Sequence, residues 1–386
     1  MSKLNTLLIT VTITLLLVGL GLAEALVTEP TSLPTEPVSF TLQPTVKPSV
    51  TRTPCLTVLY ESPTDVPTLV VSRPPPVPTP TATRAPTPLP VTEEYVDTQI
   101  DIPLYRPNEM GDILILEYHT ISRPEGRWTR TPENFRGDLE YLLTHGYYPV
   151  NLTDVVRKNL DHVPRGRRPV VLTFDDSTTG QFHYLEDGSV DPDCAVGILL
   201  AMHETYGDDW PLRATFFVLL NAGEPGPFLF RQSASGPQKV RTLVDWGMEV
   251  GSHTIHHVNL AQVTAEEVRW ELAVSQNRIM ALVPGYTVRS FSVPYGAYPS
   301  DVSLLKGGYS ELADLRYRYE AAVQVGYRPA PSPFSPDFKP YFIPRVQAFQ
   351  ASLDQWFSYY EQHPERYYVS GGAQREASNQ WKRQEP

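Results

Sequence analysis

Cysteine is almost absent: the chain has two in 386 residues, Cys55 and Cys194. So few exclude a disulfide framework, and no CxxC pair exists to hold a metal. A single bridge is conceivable, but Cys55 lies in a proline-rich stretch. Basic charge is also in deficit. Lys and Arg total 32 against 43 Asp and Glu, a net charge of -11. That excludes a general binder of nucleic acid or anionic membranes, both of which need a basic face. No internal repeat is visible. No lipobox cysteine follows the N-terminal apolar run, which argues against a bacterial lipid anchor.

What the sequence does have begins with an export pattern. Lys3 precedes a mostly apolar run from Leu7 to Leu22, followed by 23-AEA-25, a small-x-small cleavage site. Residues 1–25 read as a signal peptide. The rival reading is an uncleaved anchor, because the run approaches the roughly 18 residues that span a bilayer. Either way the body of the protein is expected to be secreted or held at the cell surface. Residues 26–95 are dominated by proline and threonine, as in 73-RPPPVPTPTATRAPTPLP-90. Repeated proline fixes φ and removes backbone donors, so the segment is expected to be a disordered spacer. Residues 96–369 have an ordinary globular composition and the size of one α/β barrel. The polar stretch 370–386 reads as a frayed tail.

Within the body, strand-like runs alternate with helix-like ones. The strand candidates are 112-DILILEYH-119, 169-PVVLTFDD-176, 214-ATFFVLL-220, 248-MEVGSH-253, 288-VRSFSVPY-295 and 320-EAAVQV-325. The first three are nearly continuous apolar runs, as in parallel strands covered on both faces. Residues 131–145 place Phe135, Leu139, Leu142 and Leu143 on one helical face. Residues 264–283 start with Thr264 and Glu267 at capping-box spacing and carry a stripe of Val268, Leu272, Ile279 and Leu282. The alternation predicts an α/β fold with its site at the C-terminal ends of the strands.

Asp175 and Asp176 fall where the second strand should end. Adjacent buried carboxylates repel unless something positive compensates, and a metal ion would do so. Alone, the pair is equally an Asp helix cap with a solvated neighbour. In 251-GSHTIHHVNL-260, His253 and His257 stand at i, i+4, a spacing that puts both imidazoles on one side of a helical turn. Two His and one Asp, with a position left open, is a catalytic metal pattern. Such a set accepts zinc, cobalt, nickel or manganese, with Zn2+ the default. His256 reads as a neighbour of that set or as exposed. Around 291-FSVPYG-296 a strand ends in a tight turn, which could aim a backbone N–H at a developing oxyanion or be a turn and nothing more.

Together, TFDD at 173–176, HTIHH at 253–257 and the F-x-x-PYG segment at 291–296 resemble the polysaccharide deacetylase family, the NodB-homology group of carbohydrate esterase family 4. The resemblance runs over about 115–350. It implies a distorted (β/α)7-type barrel, a single catalytic domain, and metal-dependent removal of acetyl groups from sugars. By resemblance Asp175 is the catalytic base, Asp176, His253 and His257 hold the metal, and the N–H of Tyr295 supports the oxyanion. The early stretch 115-ILEYHTI-121, with 144-THGYYPVNLTD-154, is similar to the circularly permuted poly-N-acetylglucosamine deacetylase branch. There the general-acid histidine opens the domain, which makes His119 the acid; a core histidine at a strand end is the competing reading.

Three departures stand out. Ser177 follows TFDD where glycine is usual. Ser292 occupies the place of an arginine that orients the base, with Arg289 or Arg345 as possible substitutes. The late L-x-H motif is missing, since His363 lies in a different context. The expected function is N-deacetylation of an N-acetylglucosamine-containing polysaccharide such as peptidoglycan, exopolysaccharide or a chitin-like glycan. O-Acetyl ester hydrolysis on a glycan such as xylan is one alternative, and non-catalytic carbohydrate binding is another. The partner is therefore a glycan, with Tyr298 as a possible sugar contact. Trp270 reads as packing, and a monomer is expected.

Overall fold

A computed structural model describes residues 101–220 and 229–373. All of these lie in a compact unit that begins at Thr92. The signal and spacer readings for 1–95, including Cys55, fall outside the described residues, as does the tail beyond 373.

In chain order, β1 (Leu114–Tyr118) leads through β2 (Thr120–Ile121) and β3 (Thr129–Arg130) to α1 (Pro132–Thr144). Next come β4 (Tyr147–Val150), α2 (Leu152–Val156), β5 (Arg168–Phe174), α3 (Ala195–Tyr206), β6 (Thr215–Val218), α4 (Gly236–Asp245) and β7 (Glu249–Ser252). The chain continues through α5 (Ala265–Leu282), β8 (Ser290–Ser292), a hairpin of β9 (Gly307–Ser310) and β10 (Leu315–Arg318), β11 (Ala321–Val323), β12 (Val346–Gln347) and α6 (Gln350–Gln362).

The main sheet runs β11-β8-β7-β6-β5-β1-β12, with β4 also paired to β5, and its pairings are parallel. β4 bonds the first half of β5 and β6 the second half. The two edges of the path then meet. Val323 and Ile343 form a parallel bridge, with Gln324 N donating to Ile343 O at 2.9 Å. Residues 343–347 thus join β11 to β1 and close a distorted (β/α) barrel. Every residue of β1, β5, β6, β7 and β8 is buried, as continuous apolar strands in a helix-wrapped parallel sheet should be.

Both expected helices form, and local chemistry fixes their starts. Thr131 caps α1 by accepting from Asn134 N at 3.2 Å, and Pro132 occupies the first helical position, where no N–H is needed. Its predicted face of Phe135, Leu139, Leu142 and Leu143 is fully buried. Thr264 and Glu267 form the reciprocal capping box of α5, with bonds of 3.2 and 2.7 Å. The ordered body runs past residue 369: Ser370 is buried and its hydroxyl donates to Val163 O at 2.9 Å. Cys194 is a buried free thiol that caps α3. Among the described residues, no helix is long and apolar enough to cross a membrane.

Candidate active site

The site collects at the C-terminal ends of β1, β5, β7 and β8. β5 ends at Phe174, and the chain then turns sharply. Asp176 and Ser177 adopt φ of 79° and 51°, left-handed values that are strained for residues with a Cβ. This turn sends the two carboxylates of the DD pair apart. Asp175 is buried, while the Asp176 side chain is about one-third exposed. Ser177 is held in place by bonds: its hydroxyl accepts from Leu219 N at 3.0 Å, and its carbonyl accepts from Phe230 N at 2.9 Å.

Asp176 meets both expected histidines. Its Oδ1 lies 3.3 Å from His253 Nε2 and 3.5 Å from His257 Nε2. These three residues can offer ligand atoms within 4.8 Å of one another. The histidines are not on a helical turn, contrary to the expectation from their spacing. Residues 253–257 form a loop between β7 and α5, in which Thr254 and His257 have φ of 68° and 54°. The loop folds back far enough to bring both rings to one point, so i, i+4 spacing is satisfied without a helix. His253 Nδ1 lies 2.9 Å from Ser292 O, which fixes the proton there and leaves the Nε2 lone pair for a ligand. Burial lowers the pKa of His253, but the carboxylates of Asp175 and Asp176 raise it overall. Burial and the nearby charge of His253 lower His257 to about 4, so that ring is neutral. Two imidazole Nε2 atoms and one carboxylate oxygen suit a divalent metal of the zinc type.

Asp175 sits in a different environment. Arg345 Nη1 and Nη2 donate to its Oδ1 and Oδ2 at 2.9 and 2.8 Å, a two-pronged grip. Ser292 Oγ donates to Oδ2 at 2.8 Å. Of the two arginines considered for the place of the one missing at 292, Arg345 is the one that reaches Asp175. Arg289 instead pairs with Glu320 at 2.6 Å. The short side chain of Ser292 leaves room for the guanidinium to enter from β12's side. Arg345 Nη2 also donates to Glu117 Oε1 at 3.1 Å, and Nε to Gln324 O at 2.7 Å. Arg345, Asp175 and Glu117 are all buried, so one guanidinium serves two carboxyl groups. Burial raises Asp175, but Arg345 more than reverses that and holds it below the usual carboxylate range. Burial, against the pull of Arg345, pushes Glu117 up to about 7.

His119 closes the other side. Its Nε2 is 3.9 Å from Glu117 Oε1, and its ring packs at 4.6 Å against Trp128. Burial lowers its pKa despite the nearby carboxylates of Asp175 and Asp176. Gln181 braces the floor beneath. Its Nε2 donates to His119 O at 2.5 Å and also to Asp175 O. This ties the excursion after β5 to the turns that end β1 and β5. Tyr295 lies in the Pro294–Gly296 turn with φ 58°, and its exposed ring packs at 4.5 Å on His257.

The remaining candidates lie off this cluster or face other groups. Tyr298 stacks on Phe342 at 4.7 Å and donates its hydroxyl to Tyr341 O at 3.0 Å. Its hydroxyl is thus engaged by the protein. His256 points to Glu271, with Nδ1 at 2.7 Å, and stacks on Trp270. Glu117 and Gln181 were not identified from the sequence. For Glu117 a signal existed: it is the one charge inside LILEY and shares a strand face with His119 two residues on.

Residues 162–311 match the family model described as polysaccharide deacetylase. A chitooligosaccharide deacetylase of Bradyrhizobium sp. (strain ANU 289) is 30% identical over 149 residues, 38% of this chain and 54% of the relative. That of Sinorhizobium fredii (strain NBRC 101917 / NGR234) is 30% identical over 151 residues, 38% of this chain and 58% of the relative. The chain thus spans a little over half the length of these curated relatives. Among solved structures, IcaB from Ammonifex degensii aligns with TM-score 0.48 and 18% identity over 66% of this chain and 98% of that one. Deacetylase PplD of Streptococcus pyogenes, in complex with acetate, aligns with TM-score 0.46 and 18% identity over 62% and 93%. The matched residues include Asp175, Asp176, His253, His257 and Tyr295 but neither His119 nor Arg345.

Proposed function

We propose that the protein is an exported, metal-dependent N-deacetylase that hydrolyses acetamide groups on an N-acetylglucosamine-containing glycan. The observation that carries this reading is one cleft holding two differently treated carboxylates: Asp176 between two histidines and Asp175 in the fork of an arginine. The N-terminal export pattern supports placement outside the cytoplasm.

Asp176, His253 and His257 would hold the metal. When bound, a zinc-type ion supplies a Lewis acid and a more acidic water. Asp175 accepts a proton from the water that attacks the acetamide carbonyl. Arg345 and Ser292 keep its carboxylate in one orientation, so little reorganisation is needed at the moment of transfer. The N–H of Tyr295, in its left-handed turn, donates to the oxyanion that forms as the carbonyl carbon becomes tetrahedral. His119 passes to the leaving nitrogen the proton that Asp175 took from the water, and the C–N bond breaks to acetate and a free amine. An amine leaves poorly without that proton, whereas an alkoxide needs less help. The presence of His119 beside Glu117 and Asp175 therefore favours an amide over an ester.

The test is acetate release by the purified protein from chitooligosaccharides and from an acetyl ester, with and without chelator. Chelator-sensitive release from the amide is expected, falling about a thousandfold in Asp175→Asn. Release from the ester alone would replace this reading with an esterase. Zinc binding without release from either would point to a glycan-binding protein.

A further inference from the structure

Beside His119 lies a surface that the chemistry above does not use. Trp128 is 44% exposed and rests its ring against His119. The neighbouring Arg127 is clamped between two rings, its guanidinium carbon 5.3 Å from the Trp128 centroid and 5.9 Å from that of Phe349. One of its nitrogens, Nη2, donates to Gln347 Oε1 at 3.2 Å. Gln347 is itself buried and pairs across β12 with Glu117 on β1, so the clamp is mounted on the strands that support the site.

Arg127 has no carboxylate partner among the described residues. The nearby acid, Glu125, is committed elsewhere: Oε1 accepts from Arg130 at 2.7 Å, and Oε2 from Thr131 N and Asn134 Nδ2 at 2.7 and 2.9 Å. The result is an exposed arginine, held by aromatic faces, with donors beyond the one that Gln347 accepts. The chain as a whole carries a net charge of -11, so a cation without a carboxylate partner so near His119 is not a matter of general composition. A planar fork of donors matches a carboxylate, and a half-exposed indole matches the apolar face of a sugar ring.

We infer that Arg127 and Trp128 form a subsite for a carboxylate-bearing sugar, next to the sugar whose acetamide is cleaved and on the His119 side. The indole stacks on the ring and the guanidinium grips its carboxylate. This rests on the deacetylase reading for the cleavage itself, but not for binding. The glycan is then an acidic one, in which an N-acetylhexosamine alternates with an acidic sugar, rather than a neutral homopolymer.

Two probes separate the ideas. One is a neutral N-acetylglucosamine tetramer. The other is a tetramer alternating N-acetylglucosamine with N-acetylmuramic acid, with its carboxylates free or converted to methyl amides. Binding is measured by calorimetry on the full chain carrying Asp175→Asn, and acetate release on the chain with Asp175 intact. The free-acid tetramer should bind about tenfold more tightly than its methyl amide, the worth of one charge-assisted fork. Arg127→Gln should bring that ratio close to one, and Arg127→Lys should restore part of it. A change that merely loosened the loop would weaken both forms alike. Equal binding of the acid and its amide, or a ratio untouched by Arg127→Gln, overturns the subsite. A preserved binding ratio with no acetate release keeps the subsite and overturns the deacetylase reading instead.

Discussion

Two ion-pair triads among the described residues show one electrostatic motif in inverted forms. Inside the barrel, one arginine lies between two carboxylates: Arg345 bonds Asp175 at 2.8 Å and Glu117 at 3.1 Å. At the surface, one carboxylate lies between two arginines: Glu320 bonds Arg157 at 2.7 Å and Arg289 at 2.6 Å. The bond lengths are nearly the same, but the surroundings are not. The Arg345 side chain is 0% exposed and that of Arg157 is 50% exposed. Inside, a lost partner leaves a charge with no water to solvate it. Outside, water and salt replace the partner. Distance alone therefore says little about what each contact contributes.

The largest effect is expected from Arg345→Met. It strands Asp175 and Glu117, and breaking a buried pair in this way costs about 3–5 kcal/mol. Urea unfolding should read that loss, and turnover should fall by about two orders of magnitude as Asp175 loses its orientation. Arg345→Lys should recover little, because an ammonium cannot span both carboxylate oxygens and Glu117. A loss below about 1 kcal/mol would place the buried network on the same footing as the surface one. Glu117→Gln should cost less, about 1–2 kcal/mol. It keeps the shape and removes the surplus negative charge.

Ser292→Ala sharpens the inside half further. One hydroxyl bond to Asp175 is lost, worth about 1 kcal/mol. His253 bonds the carbonyl of Ser292 and not its side chain, so zinc affinity by competitive titration should stay unchanged. A drop in affinity would mean that the base and the metal ligands do not stand on separate supports.

The smallest effect belongs to the surface. Glu320→Gln should cost no more than about 1 kcal/mol near neutral pH and less at high salt. Its hydrogen bonds to Arg157 and Arg289 lower the Glu320 pKa in spite of partial burial. The contribution is thus fully present above the unfolded value near 4.5 and fades as pH falls through the lowered one. The stability difference between this variant and the natural chain should therefore shrink on acidification below about pH 4.5 and stay flat above it. A difference that persisted undiminished well into acid would show that Glu320 acts through packing and not charge.

Legibility in the sequence followed the range of each interaction. The parallel strands were readable because burial on both faces leaves continuous apolar runs, and α1 and α5 because their caps and stripes are local. β4 was missed: its YYPV carries a proline, which an edge position tolerates. α3 was missed because its apolar residues surround the axis and leave little stripe to read. The DD pair and the two histidines stand out as a set, but i, i+4 spacing cannot tell their tight loop from a helical turn. Arg345 appeared only as one of two possibilities. Nothing near residue 345 says that Asp175 needs it, and only the barrel's closure through 343–347 brings them together. Gln181 left no signal, because its task of bonding two carbonyls is invisible until those carbonyls are placed.

That closure also sets an order of events. The contacts of Arg345 reach back 170 residues to Asp175 and 228 to Glu117. Such distant pairings are slow to form, because the entropy of closing a long loop must be met before the contact offsets it. As the chain is made from its N-terminus, the loop carrying His253 and His257 can gather beside Asp176 well before residue 345 exists. Asp175, by contrast, lacks its two-pronged partner until the final strand sits between β1 and β11. The last strand thus works as a latch: a C-terminally clipped chain would keep Asp176, His253 and His257 but leave Asp175 without its guanidinium, and under the proposed function activity would mark the copies whose last strand is in place.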